Sequence, residues 1–263
     1  MNGRLSRQGL DRLRSTLSER DLAVVGSLAQ HRFLTARQIE ALHFASHATA
    51  LTAARVCRRN LARLTEQRVL VRLKQRDVGG VHAGSASFIY TLGPVGQRLV
   101  GDRRRAHEPS AVYLDHVLAV ADVHVALVRE ARDSELELVE LETEPTCWRR
   151  WPRTGGGLDV LRPDLFVVTA AGEFEHCWFM EIDRGTASLP AIVRKCEQYV
   201  SYRQTGQEQE RTGTFPLVLW LTPDEERQER VARVILSGRH LPPELFRVAT
   251  VEDFVPVMSG GNG

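Results

Sequence analysis

Three carboxylates of this chain stand where a metal ion could be held. Asp164 follows Pro163 inside an apolar, strand-like run (160–169), and Glu181 and Asp183 stand at the end of the next such run (174–182). Glu181 and Asp183 are two residues apart, so on a strand their side chains project to one face. A hairpin of the two runs brings Asp164 beside them. Three carboxylates in one place repel unless a divalent cation neutralises them, and hard oxygen ligands favour Mg²⁺ or Mn²⁺. Such an ion activates water and stabilises charge developing on phosphorus. Lys195, on the helix expected next, is suited to orient that water or to hold the scissile phosphate. The catalytic candidates are therefore Asp164, Glu181, Asp183 and Lys195, the first three doubling as metal ligands. The competing reading is plain: solvated strand-end carboxylates, with Asp183 and Arg184 as a surface ion pair.

The elements that must position these groups follow from periodicity. A long, largely apolar helix is predicted over 113–132, with Leu114, Val117, Leu118, Ala121, Val125 and Val128 on its buried face. Strands are predicted over 136–141, 160–169, 174–182 and 215–221, with helices over 189–203 and 224–236 and a last strand over 246–251. Pro163 demotes the start of its strand to an edge or bulge. Helix–strand–strand–strand–helix–strand order implies a mixed sheet flanked by helices, a nuclease-like α/β core. Residues 147–157 (CWRRWPRTGGG) read as a loop. Its Trp148, Arg149, Arg150, Trp151 and Arg153 suit either stacking on a base with a grip on backbone, or packing of the tryptophans beneath the loop.

The rest of the chain differs in charge. Residues 1–105 hold 19 Lys+Arg and 7 Asp+Glu, a net of +12, and residues 106–263 hold 16 and 26, a net of −10, which together give the overall +2. A basic head (1–105) thus precedes an acidic body (106–263), with a polar linker over 101–110. In the head, helices are predicted over 21–30, 36–44 and 50–67, with Ser18 and Thr35 as N-caps and Phe33-Leu34 as an apolar connector. In the third helix Ala50, Ala54, Cys57, Leu61 and Leu64 make one apolar stripe, and at about 100° per residue Thr52, Arg55, Arg59, Arg63 and Glu66 lie roughly opposite it. Arg58 adds to this basic surface. Strands over 69–73 and 88–92 then flank a Gly-containing loop carrying Lys74, Arg76 and His82. Three helices followed by strand, loop and strand is the order of a winged helix-turn-helix. The third helix would enter the major groove, where Arg donates two hydrogen bonds to a guanine edge or grips phosphates. The expected DNA contacts are Thr52, Arg55, Arg58, Arg59, Arg63, Lys74 and Arg76.

Composition bounds the class. The chain has 263 residues, 43% hydrophobic and 26% charged, enough for two cores. No run of about 18 apolar residues is seen, so no spanning helix is expected, and no secretory leader is read at the N-terminus. Cys57, Cys147, Cys177 and Cys196 are too scattered for a zinc spacing or a disulfide framework, which implies a reducing cytoplasm.

Several segments together resemble the bacterial replication–relaxation family of plasmids and other mobile elements. They are Leu92-Gly-Pro-Val-Gly96, the run Leu114 to Val123, Arg162-Pro-Asp164, and Phe179-Met-Glu-Ile-Asp-Arg-Gly-Thr186 with Lys195 and Tyr199 following. The likeness spans roughly residues 18–220. It implies a winged helix fused to a PD-(D/E)xK-like nuclease domain, hence an α+β protein. On that pattern Asp164 and Glu181 are the metal carboxylates. Asp183 stands where the pattern has lysine, and Lys195 substitutes from the helix; Ala187-Ser188 stands where an acidic residue is expected. The function implied is double-stranded DNA binding in plasmid replication, relaxation or mobilisation. The alternatives are a Mg²⁺-dependent endonuclease or nickase, and a winged-helix transcriptional regulator without catalysis. Expected partners are duplex DNA, replication or mobilisation proteins and a second copy of the chain, with no membrane.

Overall fold

The computed structural model describes residues 5–47, 49–77, 87–102, 109–153 and 155–258. The chain is mixed α+β and divides into two compact units, Met1–Val125 and Ala126–Gly263. The division falls inside a helix, whereas the charge break lies near residue 105.

In the first unit, α1 (Arg7–Thr16) precedes α2 (Glu19–His31), β1 (Leu34–Thr35), α3 (Ala36–His43), α4 (Ala50–Glu66), β2 (Leu70–Asp77), β3 (Ser87–Leu92) and α5 (Pro94–Leu99). Helix α2 starts at a capping box: the Ser18 hydroxyl accepts from the Asp21 amide at 3.2 Å, and the Asp21 carboxylate accepts from the Ser18 amide at 2.9 Å. Thr35 and Gln38 repeat the device on α3. The strands form one antiparallel sheet in the order β1-β3-β2. The connector expected at Phe33-Leu34 is therefore partly a strand, because Leu34 pairs with Tyr90.

Leu92-Gly-Pro-Val-Gly96 has a packing explanation. A Cβ on Gly93 would sit 2.3 Å from the Arg68 carbonyl oxygen, and one on Gly96 2.2 Å from that of Val69. Only glycine lets α5 approach that backbone so closely.

Helix α6 (Ala111–Asp133) is long and apolar enough to cross a membrane by length and composition, contrary to the sequence expectation. Its first half is nonetheless built into the core of the first unit. Leu114, Val117 and Leu118 cluster with Phe33 and Ile89. Gln38 Nε2 donates to the Leu118 carbonyl at 2.9 Å and to Asp122 at 2.7 Å.

The second unit holds β4 (Glu137–Thr143), β5 (Arg149–Pro152), β6 (Leu158–Leu161), β7 (Leu165–Ala171), β8 (Phe174–Ile182), α7 (Leu189–Gln204), α8 (Gln207–Thr212), β9 (Leu217–Thr222), α9 (Glu225–Leu236), β10 (Phe246–Thr250) and α10 (Phe254–Met258). Five strands form a mixed sheet in the order β10-β9-β8-β7-β4. The meander β4–β7–β8 is antiparallel, and β8, β9 and β10 are parallel. Helices α7 and α9 make the crossovers. They share one core: Ile192, Cys196, Tyr199 and Tyr202 from α7, and Val231 and Ile235 from α9, meet Phe166, Phe179, Val218 and Trp220 of the sheet. Pro163 splits the strand expected over 160–169 into β6 and β7. The loop expected over 147–157 is partly a strand, for β5 and β6 pair as a separate hairpin.

Candidate functional site

Helix α4 buries Ala53, Cys57, Leu61 and Leu64. The stripe thus opens on Ala53 rather than on Ala50, which is exposed. Burying the two leucines alone supplies about 1.5–3 kcal/mol each, which fixes the helix's rotation. Thr52, Arg55, Arg58 and Arg59 then face solvent. Among the described residues, the side chains of Arg55, Arg58 and Arg59 make no hydrogen bond or ion pair. Arg63 departs from the expectation. Its guanidinium reaches the buried Asp21 carboxylate at 2.6 Å, where Asn60 also donates at 2.6 Å. Burial pushes the Asp21 carboxyl upward, but hydrogen bonds from Arg63, Asn60 and Ser18 outweigh it and hold the group below its ordinary value. Arg63 therefore locks α4 onto α2. Lys74 is exposed on β2. Of Arg76 only the backbone is described, paired with Phe88. His82 lies outside the described residues.

In the second unit the meander brings Asp164 and Glu181 together, since Leu165 pairs with Met180 and the Asp164 amide donates to the Met180 carbonyl at 3.1 Å. One Asp164 carboxylate oxygen accepts the Ile182 amide at 2.7 Å. Glu181 is buried, and its Oε1 accepts from the Tyr199 hydroxyl at 2.5 Å and faces Lys195 Nζ at 3.1 Å. Lys195 also donates to the Arg162 carbonyl at 2.7 Å. Burial pushes the Glu181 carboxyl up to about 7; Lys195 opposes this, the neighbouring Asp164 reinforces it, and the Tyr199 hydrogen bond opposes it.

Asp183 does not join this group. Its amide continues the ladder to the Leu221 carbonyl at 2.8 Å, and its carboxylate takes Arg227 Nε at 2.6 Å and the Gly185 amide at 3.0 Å. The pair Asp183–Arg227 is buried on both sides, so Asp183 is not half of a surface pair either. The physical reason is topological. Strand β9 runs parallel to β8, so the first turn of α9 emerges beside the end of β8 and supplies the cation. Arg227, three residues after the N-cap Asp224, carries no signal until that strand order is known. Among the described residues, no group of three or more His, Cys, Asp or Glu is gathered to hold a metal ion.

The Trp/Arg segment also divides. Trp151 is buried against Tyr202, their ring centroids 5.0 Å apart. Arg149 turns inward to Glu208 at 2.9 Å and Glu142 at 3.0 Å. Packing thus accounts for these two residues, and Arg153 pairs with Asp159 at the surface.

No curated protein and no solved structure matches this chain. A family description does match it, over residues 25–218, a span running from the second helix of the first unit to the parallel strand beside Glu181. The chain belongs to the replication-relaxation family.

Proposed function

We propose that the chain binds double-stranded DNA in the replication, relaxation or mobilisation of a plasmid or other mobile element. Family membership supports the biological setting. The order α2-β1-α3-α4-β2-β3 supports reading the first unit as a winged helix, with α4 as the recognition helix and β2 and β3 as the arms of the wing. The observation that carries the reading is the outer face of α4: three arginines without a carboxylate partner, opposite a stripe that fixes the helix to its core. Guanidiniums so placed are available to phosphates and guanine edges. Replacing Arg55 and Arg59 by Ala should weaken duplex binding in a gel shift. The slope of log affinity against log salt should fall by about 0.9 for each phosphate that is no longer neutralised. Unchanged affinity in that variant rejects the role given to α4.

A second reading, metal-dependent nicking, is favoured by one observation, the convergence of Asp164, Glu181 and Lys195 at the end of the meander. The order α6-β4-β7-β8-α7-β9 supports likening the second unit to PD-(D/E)xK nucleases. With Asp183 bound to Arg227, the donor set fits Mg²⁺ or Mn²⁺ only as two carboxylates, Asp164 and Glu181, a number that Mg²⁺ accepts when water and phosphate oxygens complete its shell. A bound ion would supply an activated water and charge stabilisation. In this chain Lys195 holds Glu181 in place, and Tyr199 shields it. Nicking of supercoiled DNA that needs Mg²⁺ or Mn²⁺ and disappears in Asp164→Ala would establish this reading; supercoiled DNA left intact across both metals excludes it.

A further inference from the structure

Two cations that have no carboxylate partner lie against the Trp148 ring. The guanidinium of Arg162 sits 5.0 Å from its ring centroid and that of Arg150 5.9 Å. Both arginines are exposed, and among the described residues neither side chain makes a salt bridge or donates a hydrogen bond. In the same unit Arg149, Arg153, Arg211 and Arg227 each hold a carboxylate. Strand β5 explains how the two behaviours coexist. Its side chains alternate, so Arg149 and Trp151 point into the core while Arg150 points out. Trp148 itself is partly buried against that core, which makes its ring a fixed platform.

Two guanidiniums held at one indole repel each other, and anionic groups bound to them relieve the repulsion. Stacking on the ring orients each guanidinium while leaving its N–H groups free to donate. The patch also adjoins the carboxylate pair. Arg162 is two residues from Asp164, and its carbonyl is held by Lys195 Nζ at 2.7 Å. A ligand lying on the patch therefore passes beside Asp164 and Glu181.

We propose that Trp148, Arg150 and Arg162 form a second DNA contact, on the acidic unit, that grips the phosphodiester backbone and leads it past Asp164 and Glu181. The proposal rests on DNA being the ligand, but not on the arginines of α4. The chemistry called for is a chain of closely spaced phosphates, which offers each planar guanidinium two oxygens.

The full chain tests it in two ways. Arg150→Ala/Arg162→Ala should lower the slope of log affinity against log salt by about 1.8, that is about 0.9 for each of two phosphates, and Arg150→Lys/Arg162→Lys should keep most of that slope. Trp151, Trp178 and Trp220 are buried, so quenching of tryptophan fluorescence by added duplex reports on Trp148 and should vanish in Trp148→Phe. An unchanged slope in the alanine variant, or a lysine variant whose slope drops equally, overturns the proposal. So does quenching by polyglutamate but not by DNA, which would make the patch a site for acidic protein. The reading of α4 fails separately: Arg55→Ala/Arg59→Ala then binds like wild type while the Arg150/Arg162 variant does not.

Discussion

Helix α4 and the end of β8 are both rich in charge, and they use it in opposite ways. Along α4 one arginine, Arg63, is tied inward to Asp21, while Arg55, Arg58 and Arg59 remain without partners among the described residues. At the end of β8, Glu181 is held by Lys195 and Tyr199, and Asp183 by Arg227. A surface that leaves its charges uncompensated keeps them available to an external counter-charge. A buried cluster that compensates its own charges is built first to stand, and any chemistry there must displace an existing partner. Carboxylates at a strand end therefore do not identify a metal site until the cations of the neighbouring crossover are known.

The largest effect expected from this contrast comes from breaking the buried pair. Asp183→Ala leaves the Arg227 guanidinium buried without its counter-ion, with side-chain exposures of 8% for Arg227 and 1% for Asp183 before the change. Urea unfolding should show a destabilisation of about 3–5 kcal/mol. Asp183→Ala/Arg227→Met should recover much of it, because an apolar replacement removes the orphaned charge. A destabilisation below about 1 kcal/mol in the single variant would mean that Asp183 is available to a ligand after all.

The two units should also answer acid in opposite senses. His31 and His124 share a 2.7 Å hydrogen bond inside the first unit. Burial, with the neighbouring His124, lowers His31 to about 3, and burial, with His43, lowers His124 to about 4. A histidine lowered on folding contributes stability that is complete above about 6.5 and is lost as pH falls toward the folded value. Glu181 is raised on folding, so its contribution is complete below about 4.5 and is lost as pH rises through about 7. Acidification from about pH 7 to pH 5 thus weakens the first unit and strengthens the second, each by an amount on the order of 1–3 kcal/mol. In metal-free buffer, Glu181→Gln should make stability fall more steeply with acid than in wild type, and His31→Phe/His124→Phe less steeply. Parallel curves for all three proteins would refute the assignment.

What the sequence discloses is set by range. Ser18, Thr35 and the stripe of α4 act within a few residues, and the expected helices form there, with Ala53 rather than Ala50 opening the stripe. Pro163 signals an edge or bulge within one strand, and the structure goes further, with the gap between β6 and β7 falling on it. Helix α1 stands outside the expectation: none of its residues is buried, so it leaves no core signature. The second partner of a buried charge is hidden for a different reason. Arg227 lies 44 residues from Asp183, and Glu208 lies 59 from Arg149. Only the parallel order of β8 and β9 brings the first pair together. Asp164 and Glu181 are legible because a hairpin joins them, a local connection; Asp183 is not, because a crossover decides its fate.

The smallest effect sharpens the comparison on a single helix. Arg63→Ala removes one of three donors to an Asp21 carboxylate that is only 2% exposed, while Asn60 and the Ser18 amide remain. Arg63 is itself 40% exposed, so solvent screens the pair, and a destabilisation of about 1 kcal/mol is expected rather than the cost of breaking a fully buried one. Arg59→Ala, four residues earlier on the exposed face, should change stability by less than about 0.5 kcal/mol. The DNA-binding effects should run the other way, with Arg59→Ala weakening duplex affinity and Arg63→Ala sparing it once the fraction folded is accounted for. Equal weakening of binding in the two variants would mean that α4 meets DNA through its flank, with Arg63 leaving Asp21 on binding, and that the division between inward and outward arginines holds only in the free protein.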